Sequence, residues 1–333
     1  MPDFRDVVGH EQVIEHLQNA IRMKKVSHAY LLEGENGCGK NLLANIFAAA
    51  LQCEKEGANP CGVCKSCMQM ASGNQPDVIR VTHEKSGIGV DDIRTQVNAD
   101  IYVKPYASRY KIYMIDEAEK MNEQAQNALL KTIEEPPEYA VLILLCSNRN
   151  KLLPTILSRC VTLTLRAVPK DAIQKYLMEK CQIPDYRAGL AAEFAGGNLG
   201  RAVRYASSEE FGARKDELIH ILKYLEDCTM AELMDAVKHL AENKASIDDE
   251  LDLMMLWYRD VLLFKATKDV NQVLFRDEVA AIRRQAGLYS FGHLEAIVEA
   301  IQKARVRLNA NVNFDVAMEL MLLTIKESES EYD

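Results

Sequence analysis

A chain of 333 residues exceeds the usual span of one domain and points to two or three. With 48% hydrophobic and 27% charged residues there is ample material for packed cores, which excludes global disorder. Its 40 Lys and Arg against 49 Asp and Glu leave a net charge of −9, which argues against a free-standing nucleic-acid binder but not against a subunit whose partners supply positive charge.

In chain order, residues 1–10 are mixed in charge and carry no apolar stretch of the kind that opens a secretory signal. Residues 11–23 place Val13, Ile14, Leu17 and Ile21 on one helical face. Ala29, Tyr30, Leu31 and Leu32 form a short apolar run that stops at Gly34, and residues 40–51 read as the next helix. Further strands are expected at 78–81, 111–115 and 140–146, with helices at about 90–100 and 122–134. The second of these is stopped by Pro136 and Pro137, which cannot continue a helix. Residues 140–146 are the longest apolar run, far short of the ~20 that cross a bilayer. A cytoplasmic protein with mostly reduced cysteines is the expectation.

Strands that alternate with helices, and are apolar enough to be buried on both faces, imply a parallel α/β sheet. After about residue 166 the character changes. Residues 169–205 read as a small helical cluster broken at Pro184 and at Gly196-Gly197. Beyond 207 only helical periods occur, as at Leu218, Ile221, Leu222 and Leu225, with long helices at 249–264, 294–308 and 316–325. The acidic tail 327–333 is expected to fray. The organisation is α/β plus all-α: an α/β domain at 1–166, a small helical domain at 167–206, and a helical domain at 207–333.

Gly34-Glu35-Asn36-Gly37-Cys38-Gly39-Lys40 lies between an expected strand and an expected helix, the context of a Walker A phosphate loop. Glycines let backbone N–H groups curl round phosphate, and Lys40 would reach the outer phosphates. The next residue should be Ser or Thr, a Mg²⁺ ligand, but is Asn41, whose longer amide arm fits octahedral geometry poorly. A nucleotide loop and a glycine-rich turn without ligand both remain open, and ATP/Mg²⁺ binding is in question. Downstream, Ile112 to Ile115 run into Asp116 and Glu117, a Walker B pattern with a metal-binding Asp and a water-activating Glu. Together the two motifs place the chain in the P-loop nucleoside-triphosphatase lineage.

Cys53, Cys61, Cys64 and Cys67 crowd together just after the phosphate-loop helix, with Pro60 and Gly62 to make tight turns. Four thiolates suit tetrahedral Zn²⁺, and a closed set with no water position is structural rather than catalytic. Unliganded reduced thiols, and a disulfide or Fe–S role that a reducing cytosol disfavours, are the alternatives. Cys38, Cys146, Cys160, Cys181 and Cys228 are scattered and read as small buried hydrophobes. Trp257 and Tyr258, with Leu253, Leu256 and Leu262, read as helix-packing core or contact surface. Arg283, Arg284, Lys303, Arg305 and Arg307 read as a solvated helix surface, with contact to DNA or a partner left open. The histidines show no ligand spacing.

Several stretches resemble one family. Val8-Gly9-His10-Glu11-Gln12, Ser27-His28-Ala29-Tyr30-Leu31, the phosphate loop and the cysteine insertion after its helix are similar to bacterial DNA polymerase III clamp-loader subunits of the AAA+ class. So are residues 127–137, Asn-Ala-Leu-Leu-Lys-Thr-Ile-Glu-Glu-Pro-Pro, and residues 153–160, which end in Ser158-Arg159-Cys160. The resemblance covers residues 1–205, and the last third is compatible with the family's collar domain. It implies an AAA+ P-loop domain carrying a zinc module, a small helical lid, and a collar that oligomerises.

The family's motor subunits carry Ser or Thr after the P-loop Lys and a phosphate-sensing Arg in a lid helix. Aligning residues 197–202 with that lid motif puts Gly200 where the Arg should be, with Arg201 one step, or about 100°, away. Asn148 matches the position that orients the attacking water in active relatives. The resemblance therefore implies a static, non-motor subunit with nucleotide-loop residues Gly34, Gly37, Gly39, Lys40, Asn41, Asp116, Glu117 and Asn148 in a degenerate state. Arg159 would act in trans on a neighbour's ATP, the alternative being a surface or salt-bridged arginine after a loop. Implied partners are the other subunits of a hetero-oligomeric ring, the sliding clamp, and primed DNA through the complex, with no membrane. No independent activity is expected, and any DNA-directed DNA polymerase or nucleotidyltransferase label belongs to the assembly. An ATP-hydrolysing motor subunit and a zinc-stapled scaffold without catalytic role are the alternatives.

Overall fold

The computed structural model describes residues 1–83, 87–242, 244, 247–310 and 312–327, so residues 328–333 of the acidic tail lie outside the described residues. It divides into two compact units, Met1–Arg204 and Tyr205–Asp333.

Unit 1 is built on a parallel sheet of β1 (Ala29–Glu33), β2 (Val78–Val81), β3 (Lys111–Ile115), β4 (Ala140–Cys146) and β5 (Val161–Thr164), in the order β2-β3-β4-β1-β5. The central strands β1, β3 and β4 are buried along almost their whole length, as their unbroken apolar runs require. Successive side chains then serve opposite faces. Ala29, Leu31, Tyr113, Ile115, Leu142 and Leu144 belong to one core, while Tyr30, Leu32, Ile112, Met114, Ile143 and Leu145 belong to the other. The helices α1 (Glu11–Arg22) and α2 (Lys40–Leu51) fill the second core through Leu17, Leu43 and Phe47.

The module helix α3 (Lys65–Ala71) follows α2. The first core takes Ile93 from α4 (Val90–Ile93), Val97 from the π-type turn Arg94–Asn98, and Leu129 and Ile133 from α5 (Glu123–Glu134). Asn122 caps α5, its side chain accepting from the Ala125 N–H, and Pro136-Pro137 follow the far end. A short α6 (Pro154–Leu157) leads to β5, a strand not anticipated from the sequence. Unit 1 continues with α7 (Lys170–Cys181), α8 (Asp185–Phe194) and the first part of α9 (Leu199–Ser207), with breaks at Pro184 and at Gly196-Gly197.

Unit 2 is helical: α10 (Glu209–Tyr224), α11 (Met230–Glu242), α12 (Ile247–Thr267), α13 (Val279–Leu288), α14 (Phe291–Asn309) and α15 (Phe314–Lys326). Trp257 and Tyr258 are fully buried on α12, and the Trp257 indole donates to Gln285 Oε1 at 2.7 Å, so both are core. Among the described residues no helix is long and apolar enough to cross a membrane.

Candidate functional site

The phosphate loop has the strand–loop–helix placement the sequence implies. Gly37 and Gly39 take φ of +90° and +103°, conformations that a side chain would strain, and α2 begins at Lys40. A cavity of about 380 Å³ is lined by Asn36, Gly37, Gly39, Lys40, Asn41, Leu42, Asp116 and Glu117, so most of the sequence-predicted residues do converge. Their functional groups, however, are turned onto one another. Lys40 is buried, its ammonium donating to the carbonyls of Gly34 and, at 2.9 Å, Glu35. The Asn41 amide donates to Asp116 Oδ2 at 2.8 Å, and Asp116 Oδ1 accepts from the Glu117 N–H at 2.9 Å. A cation at Asp116 would have to displace that amide. Glu117, at a φ of +47°, pairs with Lys120 at 2.7 Å. Asn148 is exposed, and its side chain caps its own turn by accepting from the Asn150 N–H at 3.0 Å.

The start of α9 sits directly on the loop. The Gly200 N–H donates to Gly37 O at 3.0 Å, and the Asn198 amide donates to Asn36 O at 2.8 Å. Asn198 Oδ1 in turn accepts from the Arg201 N–H at 3.1 Å, capping the helix. A Cβ at position 200 would lie 2.6 Å from Gly37 O and 3.0 Å from Gly37 Cα, so the close approach needs glycine there. Sequence reasoning saw only a missing arginine at Gly200. It also passed over Asn198, although an Asn immediately before a helical period is itself an N-cap signal. His10, quoted above only as part of a resembling stretch, bonds Cys38 O in the loop at 3.1 Å, and burial lowers its pKa.

Beyond the other end of α2, the four cysteines come together, with all Sγ atoms within 4.8 Å of one another. Zn–S bonds of ~2.3 Å arranged tetrahedrally imply S···S separations of about 3.8 Å; Cys61 and Cys67 lie at 3.9 Å. The Cys64 N–H points at Cys61 Sγ and the Cys67 N–H at Cys64 Sγ, each at 3.4 Å. Backbone N–H groups, that of Val63 foremost, hold the Cys61 thiol down at about 6. Burial pushes Cys67 up to about 12 and raises Cys53. With their Sγ atoms gathered this closely, these four residues could hold a metal ion. Gln75 steadies the module by donating to Ser66 Oγ on α3 at 2.8 Å.

Arg159 follows α6. Its Nη2 pairs with Glu134 Oε1 at 2.8 Å, and its Nη1 donates to Thr155 O at 2.9 Å and Ser158 Oγ at 3.2 Å. None of these partners belongs to the phosphate loop, and 39% of the side chain stays exposed. Cys160 packs against the first core, and burial pushes its thiol up to about 12. Ser158 Oγ thus accepts from the guanidinium, and Cys160 anchors the segment against the core. Within the basic cluster, Arg284 pairs with Glu226 and Asp227, Lys303 with Glu299, and Arg305 with Asp248 and Asp252, while Arg283 lies over the Phe264 ring. The charges of Arg284, Lys303 and Arg305 are thus matched within their own unit.

Family models described as "DNA polymerase III, delta subunit" and "DNA polymerase III, delta subunit, C terminal" match residues 9–169 and 211–327. The chain is similar to DNA polymerase III subunit delta′ of Bacillus subtilis, at 29% identity over 95% of this chain and 96% of that one. It is also similar to the tau subunit of the same organism, at 30% identity over 98% of this chain but 62% of tau, under two thirds of that relative's length. Among solved structures, a DNA polymerase III gamma subunit-related protein of Thermotoga maritima aligns over 94% of this chain and 98% of its own, with 22% identity and a TM-score of 0.46.

Proposed function

The chain belongs to the DNA polymerase III delta-subunit family, and we propose that it is a non-motor, delta-prime-like subunit of the clamp loader. In that role it assists the ATP-dependent loading of a sliding clamp on primed DNA. It does so as one member of a hetero-oligomeric ring, in the cytoplasm, and reaches clamp and DNA through the complex. Residues 1–166 act as the AAA+ domain, 167–206 as the lid, and 207–333 as the collar. Zn²⁺ held by Cys53, Cys61, Cys64 and Cys67 staples the module after α2 and takes no part in chemistry.

The observation that carries this reading is the contrast between the two ends of the catalytic apparatus. Asn41 stands on Asp116 where a metal ligand would be needed, and α9 is seated on the loop at Gly200. Arg159, by contrast, is exposed and held clear of the chain's own loop. A planar guanidinium that stays charged at any physiological pH is suited to act outward, stabilising the charge that builds on phosphoryl oxygens of ATP bound next door. Such fingers contribute roughly 10³–10⁵ in rate in GTPases. The chain can therefore lack turnover of its own and still be required by a neighbour.

The similarity to tau favours one second reading, an ATP-hydrolysing motor that tolerates Asn41. Mg-ATP turnover by the purified chain, with Lys40→Ala as control, separates the two. We expect no turnover; activity abolished by Lys40→Ala would make it a motor. Reassembled with its sibling subunits, the Arg159→Ala chain should silence the site it faces, and unchanged ring turnover would end the finger assignment and favour a zinc-stapled scaffold.

A further inference from the structure

Resting on the reading of Arg159 as a finger, we infer that Glu134 is the positioning residue that orients it. An arginine side chain is long and rotamer-rich, and a guanidinium displayed in solvent spreads over many orientations unless something outside its own segment fixes it. Two of the three groups that hold Arg159, Thr155 O and Ser158 Oγ, lie within four residues of it and travel with it. Glu134 alone comes from another element, the last turn of α5.

That element is firmly seated. Ala125, Leu129 and Ile133 of α5 are buried in the first core. Gln126 donates to Met121 O and Lys151 O and accepts from the Leu153 N–H, tying α5 to the segment that enters α6. Glu134 thereby refers the guanidinium to the sheet rather than to a surface turn.

The pairing leaves a working edge. Glu134 engages Nη2 through one oxygen, and Nη1 is taken by Thr155 and Ser158. A guanidinium carries five N–H donors, and Arg159 Nε makes no hydrogen bond among the described residues, which leaves a donor over for a phosphoryl oxygen. With both side chains well exposed, at 39% and 45%, the ion pair contributes little to stability. Its effect falls on direction.

The test uses the reassembled ring with ATP turnover as readout, in four versions: wild type, Glu134→Gln, Arg159→Ala and the double variant. The finger-dependent turnover is the difference between rings with Arg159 and with Arg159→Ala. Glu134→Gln is expected to lower the kcat of that part roughly two- to fivefold, with KM for ATP and the melting temperature unchanged. On the Arg159→Ala background it should change nothing. An equal loss on both backgrounds, or an unchanged or raised turnover with Arg159 present, overturns the inference. If Arg159→Ala alone leaves turnover intact, the finger reading itself fails, and that is seen before Glu134 is altered.

Discussion

The two ends of α2 carry two candidate ligand sites that have been resolved in opposite ways. At the N-terminal end the phosphate loop keeps its shape, yet its polar side chains bond to the chain itself: Lys40 to loop carbonyls, Asn41 to Asp116, Asn198 to the loop from outside. Just past the C-terminal end, four sulfurs converge and find little but one another and a few backbone N–H groups. A backbone scaffold is therefore not enough to define a binding site. What matters is whether the donors can be satisfied without the ligand. Those of the loop can be, and the thiols cannot.

Removing the metal should break this comparison at its thiol end with the largest effect. We expect the isolated chain to carry about one zinc and Cys67→Ser to carry almost none, because Cys67 is fully buried within the set. Structural zinc sites contribute folding free energy outright, so stripping should lower the melting temperature of unit 1 by many degrees. Calorimetry with and without chelator checks this, and an unchanged first transition would mean that the thiols pack adequately unliganded.

A smaller effect is expected at the other end. Gly200→Ala adds a Cβ that would lie 2.6 Å from Gly37 O, so α9 must lift from the loop. Overpacking of this kind costs about 1–3 kcal/mol, partly offset by the ~1 kcal/mol that alanine gains over glycine in a helix. A net loss of up to about 2 kcal/mol and faster amide exchange at Gly200 should follow. Gly287→Ala, on α13 with open space round it, is the control and should stabilise slightly. If the two variants behave alike, α9 is not seated on the loop at Gly200.

How far the sequence could have led depends on the range of the interaction that decides each feature. The buried strands β1, β3 and β4 were legible because continuous apolar runs have few other uses, and α5 because Asn122 and Pro136 punctuate it. The cysteine set was legible because its spacing is local. The edge strand β5 was not: Val161 to Thr164 mixes Val and Leu with Thr, is only partly buried, and pairs with β1 alone. The seat for Gly200 is 163 residues away in the chain at Gly37, and the partner that orients Arg159 lies across a turn and a strand at Glu134. No pattern along the chain encodes those distances; they follow from the order of strands in the sheet. Gly200 is instructive because its sequence reading was a loss, whereas in the structure the missing side chain is what allows contact.

An unsatisfied polar atom is not by itself a site, and Glu250 in unit 2 sharpens the contrast with the thiols. It is 6% exposed, and its Oε2 accepts no hydrogen bond among the described residues. Burial pushes its carboxyl up to about 7, against the favourable charges of Arg214 and His239. Among the described residues no set of acidic or thiol ligands gathers round it. Because the folded-state value lies above the unfolded value of 4.5, the folded protein holds one proton more than the unfolded chain between those limits. Stability from this group is therefore fully present below about pH 4.5 and is lost as the pH rises through 7. Glu250→Gln, which keeps the shape and cannot ionise, should be nearly neutral at pH 5 and stabilising at pH 8. After discounting for solvent screening, a gain of about 1 kcal/mol is expected at the higher pH. Urea midpoints of the two proteins across that range are the check. Parallel curves would mean that Glu250 finds a counter-charge in the folded state, and that burial without a partner does not distinguish it from the cysteine cluster.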